Sequence, residues 1–205
     1  MFSEPLRKYI ENVQADFNLI SDERKEKLHQ LSSYISKNLR ENARVNLIFI
    51  CTHNSRRSHF SQIWAQVAAI YYKHYAVSSY SGGTEATVLF PAVLDSLKKT
   101  GINVESISKG ENPIYAIKFD DQTHPIIGFS KKYNDIFNPS IDFAAVMTCT
   151  DADENCPFIP GATRISLPFE DPKVYDSTPI KVEKYDERCR QVALELFYAF
   201  SNVKV

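Results

Sequence analysis

The spacing of apolar positions changes character near residue 45. Before it, Leu6, Tyr9, Ile10, Val13 and Phe17 recur at helical intervals, and Leu28, Leu31, Ile35 and Leu39 form a second stripe of the same kind. Pro5 suits a first helical turn, where its missing N–H leaves nothing unpaired. Ser21, followed by Asp22 and Glu23, reads as a helix start with acids at the positive end of the dipole. The pattern predicts a helical hairpin over residues 1–44. Its stripes suit packing on a main domain, and they suit a dimerisation or partner surface equally; the spacing does not choose between them.

From Val45 onward strand patterns alternate with helical ones, which predicts a parallel sheet with helices on its faces. A strand is expected over 45–50 and a helix over 58–74, with Phe60, Ile63, Trp64, Val67, Ala68 and Tyr71 facing inward. A second strand over 75–80 leads to a turn at 81–84, and a helix over 91–100 stops at Gly101. Two extended pieces, 114–119 and 125–129, flank a polar stretch that reads as a hairpin loop. A strongly apolar strand over 141–148 ends at Cys149. The last helix spans 182–202 and carries Cys189 on the same face as Val192, Ala193, Leu196, Ala199 and Phe200, so that thiol is expected in the core.

Charge and composition narrow the partners. A formal net charge of -1 argues against nucleic-acid binding by bulk electrostatics. The apolar runs are strand-sized, well short of the roughly 20 residues of a membrane span, so no membrane is expected. The first residues carry no apolar signal region, and the expected location is cytoplasmic. In such a reducing compartment the four cysteines, Cys51, Cys149, Cys156 and Cys189, point to catalysis, redox work or metal rather than to structural disulfides.

The first of them stands where a buried strand gives way to a helix. The stretch reads Cys51-Thr52-His53-Asn54-Ser55-Arg56-Arg57-Ser58. Ligands of open α/β folds bind at that edge of the sheet, where loop N–H groups and a helix N-terminus make an anion cradle. The same field favours a thiolate, so Cys51 is the expected nucleophile. Arg57 can hold two oxygens of a tetrahedral anion in a fork. Ser58 can donate to the sulfur, and Asn54 can brace the loop in a left-handed conformation. On composition alone Cys51 could equally be a core cysteine and Arg57 a surface residue; their place at a strand-to-helix junction favours the chemical reading. Cys149 and Cys156, seven apart, do not have zinc-site spacing, and no metal is expected. A disulfide between them requires the intervening chain to loop, and a helical segment would have to unwind first.

This stretch resembles the C-x5-R-S anion loop of the low-molecular-weight protein tyrosine phosphatases and of their relatives, the thioredoxin-coupled arsenate reductases. Ser81-Gly82-Gly83-Thr84-Glu85 resembles the family's S-A-G-type segment, and Phe169-Glu170-Asp171-Pro172 its D-P loop. The run Cys149-Thr150-Asp151-Ala152-Asp153-Glu154-Asn155-Cys156-Pro157 resembles the redox segment of the arsenate reductases, which the ordinary phosphatases lack. The resemblance covers 45–205, with an insertion near 113–138, and leaves 1–44 as an extension. It implies an α/β fold: a four-stranded parallel sheet, order 2-1-3-4, with helices on both faces. It implies that Thr52, His53, Asn54, Ser55, Arg56 and Ser58 surround a small oxyanion, arsenate or a phosphate ester, while Cys51, Arg57 and Asp171 act on it. By itself Asp171 is an ordinary turn residue before Pro172; the resemblance makes it the general acid. Carried over, Cys51 attacks arsenate, Cys149 attacks Cys51 as arsenic is reduced, and Cys156 closes a disulfide with Cys149. That disulfide is then reduced by a thioredoxin-like partner, and no bound cofactor is implied.

Some positions depart from the family pattern. His53 stands where a glycine is usual, Arg56 where another cysteine is frequent, and Gln62 where some reductases have a potassium-binding glutamate. Lys173-Val174-Tyr175 follows Pro172 in place of paired tyrosines, which argues against phosphotyrosine. The alternatives to a reductase are a phosphatase working through a Cys51 phosphoryl intermediate and a non-enzymatic oxyanion or redox sensor.

Overall fold

The computed structural model of the chain describes residues 2–155 and 158–205. Strand β1 (Val45–Cys51) is apolar on both sides and forms the centre of the molecule. Leu47 and Phe49 enter one core, while Ile48 and Ile50 enter another on the opposite face. A strand buried on both faces calls for parallel neighbours and covered surfaces. β1 pairs with β2 (Val77–Gly83) on one side and with β6 (Phe143–Met147) on the other. β7 (Ala162–Ser166) joins β6, giving a four-stranded parallel sheet in the order β2-β1-β6-β7. Counted within the sheet, that is the expected order 2-1-3-4.

Helices α3 (Arg57–Tyr71) and α6 (Lys181–Ser201) cover the first face. The short α5 (Thr150–Asn155) lies over the second, where Ala152 packs with Ile48, Ile50, Phe143, Ala145 and Met147. The N-terminal segment forms α1 (Glu4–Ala15) and α2 (Asp22–Arg40), capped by the hydroxyls of Ser3 and Ser21, the second as the sequence suggests. Leu6, Ile10, Val13, Leu28, Leu31 and Ile35 are buried in the same core as α3 and α6. Ser32 Oγ donates to the Ala199 carbonyl at 2.7 Å, and Tyr9 stacks on Trp64 with ring centroids 5.3 Å apart. The hairpin therefore packs on the α3–α6 face of the molecule.

Three elements depart from the sequence expectation. β2 does not stop at Tyr80 but continues through Ser81, Gly82 and Gly83, in register with Phe49, Ile50 and Cys51. The glycines that suggest a turn serve close approach instead: a Cβ on Gly83 would lie 2.2 Å from the Glu85 carbonyl oxygen and 2.7 Å from the Asn54 nitrogen. β7 escapes the pattern because it is an edge strand whose Thr163 and Arg164 are exposed, leaving no apolar run. After α4 (Pro91–Lys99), β3 (Asn103–Ser106) is likewise mostly exposed. It adds to the hairpin of β4 (Tyr115–Lys118) and β5 (Ile126–Gly128) in a second, antiparallel sheet. Among the described residues no helix is long and apolar enough to cross a membrane.

Candidate active site

The loop from Cys51 to Arg57 leaves the end of β1 and enters α3. One residue in it, Asn54, is left-handed, with φ 44°. Its side chain organises the loop. The Asn54 Oδ1 accepts the Lys131 backbone N–H at 2.8 Å, so its amide nitrogen faces the other way and donates to Ser58 Oγ at 2.9 Å. Ser58 Oγ, already accepting that bond, has its own hydrogen free for Cys51 Sγ at 3.1 Å. A chain of polar contacts thus runs from the backbone at 131 to the sulfur of Cys51, and Asn54, Ser58 and Cys51 are all buried.

His59 supports this chain from behind. Burial, with the charge of Lys131 adding to it, pushes its imidazole down to about 3. The ring is therefore neutral at physiological pH. The Asn54 carbonyl, 3.0 Å from Nε2, can only accept, so Nε2 carries the hydrogen. Nδ1 is left to accept from the Ser81 hydroxyl at 3.3 Å. Lys131 is itself buried, its ammonium 4.4 Å from the Phe129 ring centroid and without a hydrogen-bond partner among the described residues. Burial pushes it down to about 8. Neither His59 nor Lys131 stands out in the sequence, because nothing in their local patterns signals a buried polar role.

The arginines at the end of the loop diverge. Arg57 Nη2 meets Asp171 Oδ2 at 2.6 Å, and Nη1 donates to the Phe169 carbonyl at 3.2 Å. Its Nε is buried and has no partner among the described residues, a spare donor for an anion. Arg56 turns away: its Nη2 meets Asp176 Oδ2 at 2.6 Å, and its Nε donates to Tyr185 Oη at 2.6 Å. The guanidinium expected to add charge over an oxyanion is thus engaged elsewhere, because two partners far along the chain satisfy it. His53 is half-exposed, with Nε2 3.7 Å from Glu85, and Ser55 is buried with its carbonyl accepting the Phe90 N–H at 3.0 Å.

The second thiol lies at the neighbouring strand end. Thr148 N–H donates to the Ile50 carbonyl at 2.7 Å, which continues the β1–β6 ladder and brings the next residue, Cys149, to the level of the loop. Cys51 and Cys149 share one apolar cluster, 3% and 1% exposed. Thr52 Oγ1 donates to Asp151 Oδ2 at 2.6 Å and stands 3.6 Å from Cys149 Sγ. With the Thr52 hydrogen used on Asp151, a Cys149 thiol is the donor in that contact. The Ala152 N–H also points at Cys149 Sγ, at 3.3 Å. Cys156, expected to complete the relay, lies outside the described residues. Cys189 is apart from all this: Trp64 Nε1 donates to its sulfur at 3.3 Å, and burial pushes the thiol up to about 12. Among the described residues no group of three or more His, Cys, Asp and Glu is placed to hold a metal ion.

No family model matches the chain. Curated relatives do. Arsenate reductase 2 of Staphylococcus haemolyticus is 30% identical over 127 residues, 62% of this chain and 77% of that protein. Arsenate reductase 1 of Staphylococcus saprophyticus is 28% identical over 152 residues, 69% of this chain and 96% of its own length. Among solved structures, an arsenate reductase in a phosphate-binding state aligns with a TM-score of 0.48 at 14% identity, covering 78% of this chain and 99% of that one. A low-molecular-weight protein tyrosine phosphatase from T. tengcongensis aligns at 0.47 and 13%, covering 75% and 96%. At 30% identity over 77% of the first of these relatives, the chain belongs to the same family as the staphylococcal arsenate reductases.

Proposed function

We propose that the chain is an arsenate reductase working through a cysteine relay. The observation that carries this reading is the second thiol: Cys149 is buried beside the Cys51 loop and tied to it through Thr52. Hydrolysis of a phosphoryl-cysteine needs no such neighbour, whereas a redox relay does. In this reading Arg57 and the loop amides bind a small oxyanion, with Thr52, His53, Asn54, Ser55 and Ser58 forming its walls. The Cys51 thiolate attacks arsenic(V), and Asp171 protonates the departing oxygen. The arriving anion takes the Arg57 guanidinium, which frees Asp171 for that role. The Cys149 thiolate then attacks the Cys51 sulfur. As the sulfur–sulfur bond forms, the electron pair of the sulfur–arsenic bond passes to arsenic, which leaves as arsenite. Cys156 displaces Cys51 from Cys149, and the resulting Cys149–Cys156 disulfide is reduced by an external thioredoxin-like dithiol in a reducing, cytoplasmic setting. Residues 1–44 are taken as a helical extension of a catalytic unit spanning 45–205.

Hydrolysis is the second reading, and the Arg57–Asp171 pair favours it equally, since an anion-binding arginine beside a carboxylic acid serves phosphate esters as well. The two separate in one experiment. The reduced protein is given arsenate and an excess of dithiol, and arsenic is speciated over time; an aryl phosphate is assayed in parallel. The proposal expects catalytic arsenite formation. Turnover of the aryl phosphate with no arsenite would make the chain a phosphatase.

A further inference from the structure

Arg56 and Arg57 are consecutive, yet they grip opposite ends of one short segment. Arg57 pairs with Asp171 at its start, and Arg56 pairs with Asp176 at its end, each at 2.6 Å. Between the two carboxylates lies a single 3-10 turn, Pro172–Tyr175. Asp171 Oδ1 caps that turn by accepting the Lys173 N–H at 3.0 Å, and the Asp176 N–H donates to the Lys173 carbonyl at 3.0 Å. The turn is therefore a stiff link, and wherever Asp176 is fixed, Asp171 follows.

Arg56 is held at three points. Its Nε donates to Tyr185 Oη at 2.6 Å, and Tyr185 Oη donates to Asp176 Oδ1 at 2.7 Å, closing a ring of arginine, tyrosine and aspartate. The guanidinium lies 4.1 Å from the Phe90 ring centroid. Phe90 is bonded in turn to the anion loop through the Ser55 carbonyl. The Arg56 side chain is only 11% exposed, and that of Asp176 23%. An ion pair of this kind, largely buried and reinforced by a shared tyrosine hydroxyl, fixes geometry more than it adds stability.

We infer that Arg56 is a positioning residue that keeps the Asp171 segment over the anion loop when an oxyanion occupies Arg57. This rests on the reading of Asp171 as the general acid. The Arg57–Asp171 contact is lost whenever the anion claims the guanidinium; Phe169 and Glu170, held by Thr148 and Arg188, anchor only the approach to Asp171, and the far end of the segment is held through Asp176. The Arg56–Asp176–Tyr185 ring uses none of the groups that face the anion, so it persists through the reaction.

Two measurements test this, and the first does not depend on activity. Amide hydrogen exchange is compared across residues 172–178 in wild type, Arg56→Met and Tyr185→Phe. Tyr185→Phe keeps the ring while removing the hydroxyl, so it serves if Arg56→Met folds poorly. The expected result is faster exchange in that segment with β1 and α3 unchanged; wild-type protection of the segment in both variants overturns the inference. The second measurement is turnover of phenyl phosphate, a poor leaving group that needs the acid, and of 2,4-dinitrophenyl phosphate, which does not. Because a general acid typically contributes 10²–10⁴-fold, loss of its positioning is expected to lower phenyl phosphate turnover by about 10-fold or more and dinitrophenyl phosphate turnover by less than about 2-fold. Equal loss on both substrates would make Arg56 a support of the anion loop in general, and would overturn the role assigned to it. If wild type itself shows no difference between the substrates when Asp171→Asn is introduced, the acid reading fails, while the exchange comparison still decides whether Arg56 holds the segment.

Discussion

At the scale of single residues, the chemistry turns on which hydrogen each polar atom has left to give. Asn54 spends its amide on Ser58, and Ser58 can then spend its hydroxyl on Cys51. Thr52 spends its hydroxyl on Asp151 and can only accept from Cys149. The two thiols thus sit in different hydrogen-bond settings: Cys51 faces a hydroxyl that donates, and Cys149 faces a hydroxyl that accepts together with the Ala152 N–H. Replacing the second, Cys149→Ser, is expected to leave aryl phosphate hydrolysis within about 3-fold of wild type while arsenite formation is abolished, because only the redox branch needs that sulfur. Equal loss of both activities would mean that Cys149 supports the anion loop itself.

Two buried titratable groups set a pH signature. His59 is pushed down to about 3 when folded, against an ordinary imidazole value of 6.5. Between those values the unfolded chain binds the extra proton, so stability is full above the unfolded value and declines as pH falls below it. His59→Gln, whose amide can still donate to the Asn54 carbonyl, is expected to remove the early part of that decline, between about pH 6.5 and 5, before the carboxylates begin to protonate. Lys131 is pushed down to about 8 from 10.5, and here stability rises as pH climbs through that window. Lys131→Met should gain up to ~3 kcal/mol at neutral pH and lose the rise at alkaline pH. Urea denaturation at stepped pH measures both, and parallel curves for wild type and variants would contradict the assignment.

At the scale of elements, α5 is the part that the proposed relay requires to move. Its six residues follow Cys149 directly and are held down by β7: Arg164 Nε meets Asp153 Oδ1 at 3.2 Å, Arg164 also reaches the Ala152 carbonyl at 3.2 Å, and Ser166 donates to the Asp153 carboxylate. A disulfide between positions 149 and 156 needs Cα atoms within about 7 Å, which a helical path of that length does not allow. Asp153→Asn weakens the staple and is expected to speed formation of that disulfide, read by quenched alkylation after diamide. A slower or unchanged rate would place the controlling step elsewhere. The same element shows how far sequence carries. β1, α3, β6 and α6 are legible because each buries a continuous or periodic apolar set. β7, which holds α5 in place, is not, since an edge strand with exposed Thr163 and Arg164 has no pattern to read. In the site, Cys51, Asn54, Arg57 and Ser58 are legible from spacing, and Asp171 and Cys149 only by resemblance. The turn of the Arg56 side chain away from the loop is not legible, because its partners, Asp176 and Tyr185, lie 120 and 129 residues away. His53 and Glu85 approach each other for a reason we find no physical account of.

At the scale of the molecule, the N-terminal hairpin is built into the face that carries α6, and it reaches the site's periphery. Arg24 of α2 pairs with the buried Glu195 at 2.6 Å and lies 4.8 Å from the centroid of Phe169, the residue whose carbonyl holds Arg57. Glu170 is paired with Arg188 of α6 at 2.9 Å. The segment carrying Asp171 is thus braced by the hairpin, the last helix and the anion loop together. Leu31→Ala, in the buried stripe of α2, is expected to cost about 2–5 kcal/mol, measured by denaturant unfolding, because the cavity opens in the shared core. A loss below about 1 kcal/mol would mean that the hairpin is only loosely attached.

The relay itself is tested most directly by one turnover without external reductant. Fully reduced protein is mixed with arsenate, quenched with an alkylating agent, and its cysteines are mapped by mass spectrometry while arsenite is counted. The account predicts about one arsenite per chain, a Cys149–Cys156 disulfide, and alkylated Cys51 and Cys189. Arsenate left unreduced with all four cysteines alkylated would contradict it.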